Sequence, residues 1–181
     1  MPTNIAVAYP WSCATENIVG KPKLRHLRGA GVDHFELPVE ATCTGVVAAV
    51  LARDELAALT LVHFSNPDDA GHHHGWMTSE YLAALRATDA CLGALLDGLA
   101  PHAARMLVIV TADHGGAGRG HGHCGDDPEV RTIPWIARGP GIAAGTTIDA
   151  PVTTLDTPAT ILAFLALPAL GRGVSRLPAV P

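Results

Sequence analysis

Leu59-Thr60-Leu61-Val62-His63-Phe64-Ser65-Asn66-Pro67-Asp68-Asp69-Ala70-Gly71-His72 is the stretch on which the fold turns. Leu59–Phe64 is a short apolar and β-branched run, bounded by Asn66-Pro67-Asp68-Asp69, and so reads as a buried strand followed by its exit loop. Beyond it, Thr78 or Ser79 can cap a helix with Glu80 in the first turn. Tyr81, Leu82, Leu85, Leu92, Leu95, Leu96 and Leu99 then recur mostly at spacings of three or four, and Pro101 closes the segment. Met106-Leu107-Val108-Ile109-Val110-Thr111 is a second apolar strand, ending in Ala112-Asp113-His114-Gly115-Gly116. Strand, helix and strand predict a βαβ unit with parallel strands and a right-handed crossover. In that topology the loops Asn66–His74 and Asp113–Cys124 both leave the carboxyl edge of one sheet, where open α/β folds carry their sites.

Outward from this unit the pattern is coarser. Asn4–Ala8 predicts a strand, Gly45–Arg53 an Ala/Val-rich helix, and Thr132–Ala137 a strand followed by the turn Arg138-Gly139-Pro140-Gly141. Asp156 or Thr157 can cap a last helix through Leu165, with Pro158 tolerated in its first turn. No internal repeat or linker divides residues 1–181, so a single domain is expected. With 48% apolar and 16% charged residues the chain can bury a core. Its formal net charge of −5 argues against a nucleic-acid polymer as partner, since such binders need a basic surface. No run is long enough to span a membrane, and no signal-peptide pattern opens the chain, so as written it reads as cytoplasmic. Cys13, Cys43, Cys91 and Cys124 show no C-x-x-C spacing and read as free thiols. The oligomeric state has no signature.

The two loops hold the chemistry. Asp68 and His72 are four residues apart, close enough to share one ion. Asp113 and His114 are neighbours at a strand end, where successive side chains approach an ion from different angles. His121 follows after Gly116-Ala117-Gly118-Arg119-Gly120, a run that lets the chain turn back. Mixed oxygen and nitrogen donors suit zinc, with manganese as the second choice. His123 competes with His121, and Cys124 could add a soft ligand. His73 and His74 read as loop filler, and His26, His34 and His102 as surface residues. Asp89 falls on the apolar stripe of its helix, where a bare carboxylate would be costly, so it is expected to hold a backbone or ligand group in place.

The segment Pro67-Asp68-Asp69-Ala70-Gly71-His72-His73-His74-Gly75-Trp76, with Glu80-Tyr81, Asp89 and Leu92-Gly93 after it, resembles the P-D-x-x-G-H-x-x-G-W region of the alkaline-phosphatase superfamily. Within that superfamily it resembles the type I phosphodiesterase/nucleotide pyrophosphatase branch and the sulfatase-like enzymes near it. Thr111-Ala112-Asp113-His114-Gly115-Gly116-Ala117-Gly118-Arg119-Gly120-His121-Gly122 is similar to its T-x-D-H-G-G-x-G-x-x-H-G segment. Thr132-Ile133-Pro134-Trp135, Gly139-Pro140-Gly141 and Thr154-Leu155-Asp156-Thr157-Pro158-Ala159-Thr160 follow in the same order. The resemblance covers residues 59–167 well and the first forty loosely.

This resemblance implies an α/β fold, a mostly parallel sheet flanked by helices, incomplete at its N-terminus. It also implies two divalent metal ions acting on a small-molecule phosphate or sulfate ester. Asp68, His72 and His121 would hold the first ion. Asp113 and His114 would hold the second, with an Asp and a Thr or Ser nucleophile expected upstream of this chain. Ser12, Cys13 and Thr15 follow a predicted strand but no Asp precedes them, so no catalytic nucleophile is assigned. Three readings stay open: a phosphodiesterase or phosphatase, a sulfatase-like enzyme, and a non-catalytic metal-binding remnant.

Overall fold

In the computed structural model, residues 5–10, 32–37, 48, 50, 51, 58–118 and 126–178 are described. They belong to two compact units, Met1–Leu99 with Gly118–Gly120 and Ala100–Ala117 with His121–Pro181. Each combines short strands with helices, so the chain is α/β.

In the first unit β1 (Ile5–Pro10), β2 (Val32–Leu37) and β3 (Leu59–Val62) form a parallel sheet in the order β2-β1-β3. Ile5 pairs with both Val32 and Leu59, which puts β1 in the middle. β1 corresponds to the predicted Asn4–Ala8 strand. β2 has no counterpart in the sequence reading, because Asp33 and Glu36 interrupt the apolar run that marks a buried parallel strand. Of the predicted helix Gly45–Arg53, Ala48, Val50 and Leu51 are described and are helical, with Val50 buried.

α1 (Asn66–His74) occupies the stretch predicted as an exit loop. The Asn-Pro-Asp-Asp cluster that looked like a turn is instead a helix start. Pro67 fits the first turn, where its missing N–H costs nothing. Asp68 and Asp69 lie at the positive end of the helix dipole and His72, His73 and His74 at the negative end. α2 (Ser79–Gly98) begins as predicted, and Thr78 rather than Ser79 is the cap. Its hydroxyl accepts from the Tyr81 N–H at 3.3 Å and donates to the Gly75 carbonyl at 2.8 Å, so one side chain joins the end of α1 to the start of α2. Cys91, Leu95 and Leu99 are its buried line, and α1 packs against it. Asp89 is exposed, which corrects its placement on the apolar stripe. Cys91 takes part in a disulfide, against the expectation of free thiols. A disulfide depends on distance in space, so the absence of a short Cys spacing did not exclude it.

The second unit opens with a 3-10 helix, Ala100–Arg105, and β4 (Val108–Thr111). β4 pairs antiparallel with β5 (Trp135–Arg138), Val108 opposite Arg138 and Thr111 opposite Trp135. Within the first unit β3 pairs with β1, and within the second β4 pairs with β5. α3 (Pro128–Arg131), capped by Asp127, buries Val130. α4 (Asp156–Phe164) buries Ala159 and Thr160, and its Thr157 hydroxyl accepts from Trp135 Nε1 at 2.9 Å, tying it to β5.

Candidate metal centre

Asp68 and His72 lie one helical turn apart, on one face of α1. Asp68 Oδ2 is 3.6 Å from His72 Nε2, with the side chains 43% and 25% exposed. Two donors bound at about 2.1 Å to one tetrahedral ion stand ~3.4 Å apart, so this spacing fits a shared zinc-sized ion. The pair also remains open to solvent on one side, as an exchangeable ligand position requires.

The glycine-and-tryptophan part of the motif explains itself at this point. A β-carbon on Gly71 would stand 2.6 Å from the Trp76 ring, so the missing side chain lets the indole fold back onto α1. The ring meets the imidazole of His72 edge-on, centroids 5.9 Å apart, and Tyr81 in the same manner at 5.5 Å. The main-chain N–H of Trp76 donates to the carbonyl of Gly118, a residue of the second motif stretch, at 3.0 Å.

Asp113 and His114 follow β4 directly. Asp113 Oδ1 accepts from the His114 N–H at 3.1 Å, which sets the carboxylate plane. His114 Nδ1 stands 2.8 Å from the Gly115 carbonyl, an acceptor only, so Nδ1 carries the proton and Nε2 the lone pair. That is the arrangement by which a second group orients a metal-binding histidine. Nε2 stands 3.8 Å from Asp113 Oδ2. The turn is held from behind: Gly115 N–H donates to the Val130 carbonyl at 2.7 Å, and a β-carbon there would collide with the Glu129 carbonyl oxygen.

The site residues thus appear as two pairs, each described within its own unit. His121, with His123 and Cys124, lies outside the described residues, as do Ser12, Cys13 and Thr15. Among the described residues no group of three or more His, Cys, Asp or Glu side chains is placed to hold a metal ion. His73 and His74 are exposed and form the last residues of α1 rather than part of a loop.

Sequence reasoning missed a second polar cluster. Asp156 opens α4 without capping it; its carboxylate is buried and accepts from Val174 N–H (2.8 Å), Thr153 N–H (2.9 Å) and Arg176 Nε and Nη2 (3.0 and 2.6 Å). The Val174 and Thr153 amides foremost, with the Arg176 guanidinium, lower its pKa to about 2. Arg176 carries no sequence signal, being one basic residue near the end of a Gly-containing stretch.

A family model described as Type I phosphodiesterase / nucleotide pyrophosphatase matches residues 12–125, more than half of the chain. The chain belongs to this family. The match encloses both the Asp68–His72 and the Asp113–His114 pairs and reaches upstream to Ser12, across a segment of looser likeness. It stops before Thr132-Ile133-Pro134-Trp135 and the Asp156 motif. Human ectonucleotide pyrophosphatase/phosphodiesterase family member 1 is 34% identical over 68 residues, 36% of this chain. The match spans 7% of the length of that human relative.

Proposed function

We propose that the chain carries the metal centre of a phosphoric-ester hydrolase, with Asp68, His72 and His121 around one divalent cation and Asp113 and His114 around a second. The observation that carries this reading is the 3.6 Å separation of Asp68 Oδ2 and His72 Nε2 on one helix face. The Gly115 carbonyl, which presents His114 Nε2 as a donor, supports the second position. Family membership supports phosphoric rather than sulfuric esters as the substrate class. Zinc suits this imidazole and carboxylate set, and manganese is the alternative. An alkaline-phosphatase-like fold, with the parallel ladders of β1–β3 as part of its sheet, accompanies the proposal.

Bound cations would supply positive charge to polarise the ester's phosphoryl oxygens and to favour ionisation of an attacking hydroxyl. The chain's own work is to hold the cations. Asp68 and Asp113 contribute charge, His72 and His114 contribute oriented lone pairs, and α1 and the Gly115 turn keep them in place. No residue of the chain is assigned as nucleophile. The partner is a small ester; no helix among the described residues is long and apolar enough to cross a membrane. The disulfide at Cys91 supports an oxidising compartment over a cytoplasmic one.

Hydrolysis of aryl phosphate mono- and diesters and of an aryl sulfate, each with added Zn2+ or Mn2+, tests the substrate class. With no nucleophile assigned, turnover by this chain alone is expected to be low or absent, and whatever phosphate-ester turnover occurs should be abolished by chelation. Turnover of the sulfate alone would move the chain to the sulfatase-like reading. Metal uptake without any turnover fits both a metal centre lacking its nucleophile and the non-catalytic remnant, and the same assay on a longer chain that carries a nucleophile separates the two.

A further inference from the structure

Trp76 donates no metal ligand, yet it meets three parts of the site. Its ring lies on the backbone of Gly71, directly before His72. Its edge contact with the imidazole has the two planes 64° apart, and Tyr81 of α2 backs the indole at 63°. Its main-chain N–H, independently of the ring, donates to the Gly118 carbonyl.

We infer that Trp76 is the positioning residue for His72, fixing the imidazole so that Nε2 stays beside the Asp68 carboxylate and a divalent cation finds both donors in place. The inference rests on the reading of Asp68 and His72 as metal donors. α1 is nine residues long and His72 lies in its last turn, where an isolated short helix frays. A ring seated on that turn removes imidazole orientations that carry Nε2 away from Asp68. Ordering completed before the cation arrives does not weaken its binding. The same seat explains a glycine inside a nine-residue helix, a costly choice that the indole requires.

Co2+ titration of the full chain, followed by visible absorption, tests this with Trp76→Leu, Trp76→Phe and Gly71→Ala. Trp76→Leu and Gly71→Ala should raise the Kd for Co2+ by about 10-fold or more, as loss of a ligand-orienting group does. Trp76→Phe, which keeps an aromatic edge, should stay near the wild type. Thermal unfolding of the metal-free proteins is measured alongside. Co2+ affinity unchanged in Trp76→Leu, or weakened as much in Trp76→Phe, overturns the inference. If Trp76→Leu does not fold, Gly71→Ala decides alone, and wild-type affinity in that variant overturns it. A wild-type chain that takes up no Co2+ overturns the metal reading and the inference together.

Discussion

At Gly115 a β-carbon would overlap the Glu129 carbonyl and stand 2.9 Å from that of Thr132, both main-chain atoms that cannot rotate away. Gly115→Ala should therefore cost about 1–3 kcal/mol of stability. It should also weaken occupancy of the Asp113–His114 position while leaving the Asp68–His72 position loaded. Chemical denaturation and metal content read the two effects. Asp156 makes a different statement about pH. Its folded pKa of about 2 lies below the ordinary carboxylate value, so its stabilisation is complete above the unfolded pKa and is lost as pH falls toward 2. The Tm difference between wild type and Asp156→Asn should then be large at neutral pH and shrink in acid, below about pH 4. A constant difference from neutral pH down to the lowest measurable value would contradict this assignment. Residue chemistry of this kind was partly legible. Asp68, His72, Asp113 and His114 stand out by type and spacing, whereas Arg176 meets Asp156 from 20 residues away and leaves no local pattern.

Elements were readable where a local rule decides them. Thr78 before a periodic apolar stripe announced α2, and its hydroxyl holds both the new helix and the end of α1. Thr78→Ala should cost about 1 kcal/mol, measured by urea unfolding. α1 was misread because Asn-Pro-Asp-Asp serves turns and helix starts alike, and the amphipathic periodicity that separates them needs more than nine residues. The consequence favours the site, since i,i+4 residues on a helix are held closer than two residues in a loop. Cys91 belongs to this scale as well. Its disulfide leaves no more than two of the four cysteines reactive in the denatured, unreduced chain, and four thiols by Ellman titration would exclude the bond.

For the molecule as a whole, fold class was legible and strand pairing was not. Apolar runs identify β3 and β4, but nothing within either run specifies its neighbour. The shortest connection suggested a βαβ unit; the ladders within the two units join β3 to β1 and β4 to β5. The family match encloses both motif stretches. The central claim is that these stretches bind divalent metal. Metal content of the purified chain after Zn2+ loading and desalting tests it most directly, compared with His72→Ala, Asp113→Ala and the control Asp126→Ala. Asp126 is 96% exposed, is paired with Arg131 and is not one of the proposed donors. The account predicts bound zinc in the wild type and the control, and a loss of zinc in both site variants. Zinc content unchanged by His72→Ala and Asp113→Ala would contradict it.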